Sequence, residues 1–515
     1  MESYDIIIIG TGAGGGTLTH KLKDTGKKIL VLERGSFLPR EKANWNSKAV
    51  FVDERYHTKE VWKTKEGKDL HPGTGYWVGG NTKVYGAALF RLREGDFEEI
   101  KHEGGISPAW PLKYPDFEPY YTEAEKLYTV HGKMGLDPTE PFRTEDYSYP
   151  PVSHEPRIQE LHDALVKDGH KPFNMPIAIK LNEADMLNSP CIRCSTCDGY
   201  PCMIHAKSDA DINCIRPAMA NENVTLIINA KAERLVTGAD GKSVDYIEVT
   251  VNDELIRFKA AIVVVACGAI NSAALLLKSA NPQHPSGLAN SSGQLGRNFM
   301  KHNSAAMLGV SLKENLTQFQ KTLAINDYYW GDGSEDFPYP LGGIQLLGKS
   351  DREQVEPDAP FFTPDFALNE MAEHSVDWWF TGEDLPDANN RVEVIDGQIH
   401  LDYTENNTKC FERLIDTWKD VLAKIDARPV FIPHGIYLSK DIPLAGVAHQ
   451  VGTVRFGRDP ATSVLDTNCK THEIDNLYVV DGSFFPSIGA VNPSLTIIAN
   501  ALRVGDHLIE KLNSL

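Results

Sequence analysis

Three glycines near the head of the chain, Gly10, Gly12 and Gly15, stand in the order G-x-G-x-x-G. Glycines at this spacing let a turn come close to a pyrophosphate, whose charge then meets the unpaired amides at the start of the following helix. Glu33 lies 18 residues beyond Gly15, close to the separation at which a carboxylate in dinucleotide sites accepts hydrogen bonds from a ribose. A second group is Cys191, Cys194, Cys197 and Cys202, spaced C-x-x-C-x-x-C-x-x-x-x-C. Four thiolates so close could hold zinc or an iron–sulfur cluster. A ferredoxin run, however, shortens to three residues before its last Cys, so spacing leaves metal, free thiols and a disulfide open.

The glycines need a strand before them and a helix after them. Ile6 to Ile9 is a continuous β-branched run, the pattern of a strand buried on both faces of a parallel sheet. Thr17 to Lys23 is compatible with the returning helix, and Lys28 to Leu32 with a second strand that ends at Glu33. Strand, turn, helix and acid together predict a dinucleotide site and leave FAD and NAD undistinguished.

Composition narrows the partners. At 515 residues the chain exceeds a single small domain, and 41% hydrophobic with 24% charged residues is an ordinary globular profile. A formal net charge of -19 gives no basic footprint for nucleic acid and repels anionic lipid. The apolar runs, Ile6 to Ile9 and Ala260 to Ala266, are far shorter than the roughly 20 residues of a membrane span. The opening Met1-Glu2-Ser3-Tyr4-Asp5 carries no signal-peptide pattern, so a cytoplasmic location is expected. Eight cysteines in such a chain do not form a secreted disulfide framework.

Further motifs are more specific. Gly79 to Ala87 reads GGNTKVYGA and Arg91 to Phe97 reads RLREGDF; Ala261 to Lys278 reads AIVVVACGAINSAALLLK. His449 to Gly457 (HQVGTVRFG), Asn476 to Gly482 (NLYVVDG) and Val491 to Thr496 (VNPSLT) follow in order. The set resembles the glucose-methanol-choline oxidoreductases from Tyr4 to about His507, and within them most resembles bacterial sugar and glycoside oxidases and dehydrogenases related to pyranose oxidases.

The resemblance implies FAD, with Gly79, Gly80, Asn81 and Thr82 under the flavin. It places Ala266, Gly268, Asp481, Gly482, Pro493 and Thr496 as cofactor neighbours, alongside Ala13, Arg34 and Ala232. Gly452 and Thr453 are expected beside the flavin or pyrophosphate. Members with covalent FAD carry a histidine where this chain has Val84, so non-covalent FAD is implied. Tyr85 stands where glucose oxidase-like members have Asn. His449 matches the catalytic base, a role suited to histidine near neutral pH, and Asn492 matches the partner that holds the substrate oxygen. Relatives with similar Cys runs are generally not metalloproteins, which favours thiols or a disulfide near the adenine side and no bound metal.

The implied architecture is α/β (α+β), a Rossmann-like FAD-binding domain with a second, substrate-binding domain built on a mostly antiparallel sheet. Residues 1–125, 190–300 and 441–515 are assigned to the first, with the catalytic residues in the last stretch; residues 126–189 and 301–440 are assigned to the second. Gly331 to Pro364 is rich in Pro and Gly, and Trp378-Trp379-Phe380 fits either a sheet over the flavin or ordinary core. The expected reaction is oxidation of a secondary alcohol of a sugar or glycoside to a ketone, with electrons passing to oxygen, a quinone or a redox protein. A non-sugar alcohol, an NAD-linked dehydrogenase and a non-catalytic flavoprotein are the rival readings; bound FAD would colour the protein yellow.

Overall fold

The computed structural model describes residues 2–356, 363–425, 437–446 and 448–514. Ile6 to Ile9 are buried because their strand, Glu2–Ile9, runs through the middle of a seven-stranded sheet. Ile29–Leu32 and Glu254–Val265 flank it in parallel, with Val224–Ile227 and Leu477–Val479 parallel beyond them. Central strands of this kind are covered on both faces, which is why IIII, ILVL and IVVV are apolar throughout rather than alternating. Glu254–Val265 changes partner along its length. Its first half pairs antiparallel with Val244–Val251, which pairs in turn with Ala230–Thr237, and its second half runs beside Leu477–Val479.

The helix after the first strand spans Ala13–Leu22 and so begins inside the glycine loop, earlier than the sequence pattern suggested. It packs against the last helix, Ser494–Asn513. The nucleotide sheet thus draws its strands from the beginning, middle and end of the chain.

A second sheet of six strands is antiparallel throughout, in the order Tyr437–Asp441, Asn303–Val310, Ser375–Gly382, Gly343–Leu346, Leu323–Ile325, Phe173–Asn174. Side chains alternate between its faces. Trp378 and Phe380 turn to a core shared with the amphipathic helix Thr408–Ile425, where the rings of Trp378 and Trp418 meet edge-on at 4.9 Å. Trp379, in register with Ala306 and Gln345, turns the other way and lines the cavity described below. The aromatic triplet is thus divided between core and cavity wall. One hairpin departs from the simple division of the chain: Arg391–Ile395 and Gln398–Asp402 join Trp62–Thr64 and Asp69–Leu70 in a four-stranded sheet. Among the described residues no helix is long and apolar enough to cross a membrane.

Candidate active site

The two sheets enclose a cavity of about 1000 Å³. Gly10, Gly12 and Ala13 line one end of it, with Glu33, Arg34, Ala232, Ala266, Gly268, Asp481 and Gly482. The glycines do different work. At Gly10, where φ is +103°, a Cβ would stand 2.3 Å from the Ala266 carbonyl oxygen, so the fold itself requires glycine. At Gly12 the nearest atom to a Cβ is Gly80 Cα at 3.9 Å. Packing leaves that space empty on the cavity side, a cradle that a side chain would fill and that suits a cofactor phosphate at the helix start. Gly15 does not line the cavity; a Cβ there would meet the Gly10 carbonyl oxygen at 2.0 Å, which marks it as a helix–strand packing position.

Glu33 is braced by the turn it faces. Its Oε2 accepts from the Thr11 amide at 3.1 Å and hydroxyl at 2.5 Å, and Oε1 accepts from the Gly35 amide at 2.9 Å. Burial raises its affinity for a proton against these bonds. Arg34 stacks over Tyr76 at 3.6 Å. Asp481 is occupied by protein donors: Gly268 N–H at 3.0 Å and Ser272 on one oxygen, Ser483 on the other. It reaches the cavity wall while fixing the turn before the helix Ala269–Lys278.

Gly80, Asn81, Thr82 and Val84 line the middle of the cavity. Beneath them Lys83 is buried between Asp209 and Asp211, 3.0 Å from each, and Thr82 Oγ1 accepts from the Ala210 amide at 3.0 Å. Gly79 lies behind the wall and donates its N–H to Thr11 Oγ1 at 3.0 Å. Tyr85 lines the cavity with its hydroxyl spent on the Ser208 carbonyl.

At the other end stand His449 and Asn492. The ring of His449 meets that of Trp379 edge-on at 6.4 Å, and its Nδ1 lies 3.0 Å from Nδ1 of His302. His302 Nε2 in turn lies 2.9 Å from the Gly489 carbonyl oxygen. A carbonyl only accepts, so Nε2 of His302 carries a proton. Burial and the neighbouring imidazole hold His302 far below the usual histidine value, which keeps it neutral with a bare Nδ1. His449 therefore donates from Nδ1, and its Nε2 is left as an acceptor. Burial, reinforced by Lys321, pulls the pKa of His449 down to about 4.

Asn492 sits at the end of a loop held at three points. Gly489 N–H donates to Glu383 at 3.2 Å, the Gly489 carbonyl accepts from His302, and Ala490 N–H donates to Tyr329 Oη at 3.1 Å. That tyrosine donates to Asp96, of the RLREGDF stretch, at 2.8 Å. Pro493 and Thr496 do not line the cavity: Pro493 precedes the helix Ser494–Asn513, and the hydroxyl of buried Thr496 pairs with Tyr121 at 2.8 Å. Gly452 and Thr453 are likewise behind the wall. A Cβ on Gly452 would strike the Asn298 carbonyl at 2.3 Å, and Thr453 donates to the Ala269 carbonyl at 2.7 Å.

The cysteine stretch brings Asp198 to the His449 end of the cavity, while Met203 beyond it accepts from Arg40 at 2.5 Å. Asp198 within it pairs with Lys321 at 2.8 Å, and both charges act on His449. Lys207, fully buried, ties the stretch down through its bonds to the carbonyls of Cys197 and Tyr200, at 2.6 and 2.8 Å. All eight cysteines are free thiols, and among the described residues no group of three or more His, Cys, Asp or Glu side chains could hold a metal ion. Sequence motifs missed His302, Lys321 and Asp198. Only contacts across the fold bring them together.

The chain matches known proteins along nearly its whole length. One family model described as GMC oxidoreductase covers residues 4–304 and another of the same description covers 396–501. Paromamine 6'-oxidase of Streptomyces fradiae is 31% identical, over 97% of this chain and 90% of that protein. 6'''-Hydroxyparomomycin C oxidase of Streptomyces lividus is 31% identical over 99% and 92%, and the fructose dehydrogenase large subunit of Gluconobacter japonicus 25% over 99% and 98%. Among solved structures, pyridoxine 4-oxidase from Mesorbium loti superposes with a TM-score of 0.68 at 16% identity, over 98% of this chain and 99% of that one. The glycine cradle, the Gly79–Ala87 segment and the loop of Asn492 thus lie in a protein that belongs to the GMC oxidoreductase family, FAD-binding enzymes that act on CH–OH groups.

Proposed function

We propose that this protein oxidises a secondary hydroxyl of a sugar or glycoside to the ketone with non-covalent FAD, His449 acting as base and Asn492 holding the reacting oxygen. The observation that carries the reading is the His302–His449 hydrogen bond, which leaves Nε2 of His449 as an acceptor on the wall that Asn492 also lines. Loss of hydride from an alcohol carbon requires the hydroxyl proton to depart, so a base must stand within hydrogen-bond reach. FAD, when bound, supplies the hydride acceptor. His449 takes the proton at Nε2, and the imidazolium so formed keeps its Nδ1–H on His302, where the bond strengthens as it becomes charge-assisted. The amide of Asn492 donates to the substrate oxygen as negative charge grows there. The cradle at Gly12 and the braced Glu33 would hold the nucleotide. Val84 offers only hydrocarbon at the position of a histidyl link, which supports non-covalent attachment.

For the substrate, support comes from relatives named for paromamine, hydroxyparomomycin C and fructose, and from a wall that combines an indole, Trp379, with polar Gln345, Lys321 and Asp198. Two of those names carry a 6' or 6''' position, which supports a second reading, oxidation of an exocyclic hydroxyl to an aldehyde. The test is anaerobic mixing of the FAD-loaded protein with a panel of sugars and simple alcohols, followed by flavin bleaching and mass analysis of the carbonyl product. Repeating it with oxygen, a quinone and a redox protein identifies the acceptor. A yellow protein that no sugar bleaches would overturn the proposal.

A further inference from the structure

One ion pair on the cavity wall does more than set the field at His449. Lys321 and Asp198 meet at 2.8 Å, their side chains 4% and 17% exposed, and both line the cavity. They come from separate stretches, Lys321 from just before the strand Leu323–Ile325 and Asp198 from among the clustered cysteines. The surroundings are shaped around them. A Cβ on Gly86 would lie 1.8 Å from the Lys321 nitrogen and 2.4 Å from Asp198 Oδ1. Gly348 donates its N–H to Asp198 Oδ2 at 3.3 Å. On either side of Asp198, the carbonyls of Cys197 and Tyr200 are tied to buried Lys207, while Cys202 Sγ accepts the amides of Ala206 and Lys207 at 3.3 and 3.4 Å. The thiol-rich stretch is thus a rigid mount for one carboxylate.

An ammonium has three donors and a carboxylate two oxygens. Among the described residues Lys321 spends one donor, on Oδ2 of Asp198, and Oδ1 of Asp198 accepts no hydrogen bond. Charges withdrawn from bulk water need their remaining valences met. A hydroxyl group meets both at once, accepting from the ammonium and donating to the carboxylate. An ether or a hydrogen atom in its place cannot do this. The pair is neutral overall, so it does not demand a charged substrate. We infer that Lys321 and Asp198 form a subsite that grips a second hydroxyl of the substrate while the first faces His449, so that the substrate class is polyhydroxylated rings rather than simple alcohols. The inference rests on the oxidation reading above.

The test uses Asp198→Asn and Lys321→Met in the full FAD-loaded chain, with folding checked by melting and by the flavin spectrum. Flavin reduction is followed without oxygen against the concentration of the best sugar and of its monodeoxy analogues. The half-saturating sugar concentration should rise about tenfold or more in each variant, the worth of a charge-assisted hydrogen bond. The wild-type preference for the sugar over one particular deoxy analogue should collapse, while its preferences over the others persist. Equal losses on the sugar and on every deoxy analogue would overturn the inference, because a pair that only shapes the wall acts on all of them alike; unaltered saturation would overturn it too. Should Lys321→Met fail to fold, the near-isosteric Asp198→Asn decides alone. Failure of the oxidation reading is seen separately, in a wild-type protein that no sugar bleaches.

Discussion

Replacing His302 by Leu removes the acceptor that holds the Nδ1 proton of His449 at 3.0 Å while filling the fully buried position with an apolar side chain. In the resting enzyme that bond joins two neutral rings and is worth about 1 kcal/mol; once His449 has taken the substrate proton it is charge-assisted, worth about 1.5 to 3 kcal/mol. Only the difference, about 0.5 to 2 kcal/mol, is felt in the hydride step, which should slow by about 2- to 30-fold. Loss of the tautomer adds to this, since an unrestrained His449 can place its proton on Nε2 and cease to be an acceptor. The assay is single-turnover flavin reduction without oxygen, at saturating sugar and across pH. His302→Asn supplies the control: its carbonyl oxygen can take the place of Nδ1, so it should recover most of the loss. The low-pH limb should also move down in the Leu variant, because the imidazolium has lost its acceptor, with Lys321 and Asp198 still facing it. Equal losses in the Leu and Asn variants would show that His302 merely supports the Gly489 loop, and a Leu variant as fast as wild type would remove it from the mechanism.

Other expectations follow from the same geometry. Because the folded-state pKa of His449 is lowered to about 4, the base is neutral above that value; kcat/KM should hold from neutral pH down to about 5 and fall only as pH drops through about 4, whereas a limb near 6.5 would contradict the buried geometry. His449→Ala should slow flavin reduction by about a hundredfold or more with FAD retained; wild-type reduction would mean that another residue is the base. Gly12→Ala should melt like wild type yet bind FAD at least about tenfold more weakly, since its methyl occupies only the cradle, while Gly14→Ala, whose Cβ would stand 1.7 Å from the Val480 carbonyl oxygen, should lower the melting temperature outright; a Gly12 variant that titrates normally with FAD would place the phosphate elsewhere. Acid precipitation should release FAD into the supernatant, and yellow colour kept in the pellet would reveal a covalent link that Val84 cannot make.

What was legible in the sequence had short-range causes. The strand–glycine–helix turn is encoded within about twenty residues, and each of its parts is constrained by backbone geometry that few other residues satisfy. The antiparallel sheet could be anticipated from the resemblance, but the two-faced role of Trp378 and Trp379 emerges only from alternation along Ser375–Gly382. At Gly452 the Asn298 carbonyl alone requires glycine, and sequence cannot distinguish a backbone that must approach a ligand from one that must approach another backbone.

The parts that were not legible are joined over long separations. His302 lies 147 positions from His449, and Lys321 lies 123 from Asp198; neither partner carries a local signature, since a buried histidine or lysine reads like any other. Both pairs nevertheless act on the residue that the motif did identify. His302 directs the Nδ1 proton of His449, and Lys321 lowers its affinity for a second proton. His302 also holds the carbonyl of Gly489, three residues before Asn492. One imidazole therefore fixes the orientation of the proposed base and the loop of its proposed partner together, so a change at His302 should disturb proton transfer and oxygen binding at once, which neither His449→Ala nor Asn492→Ala does alone.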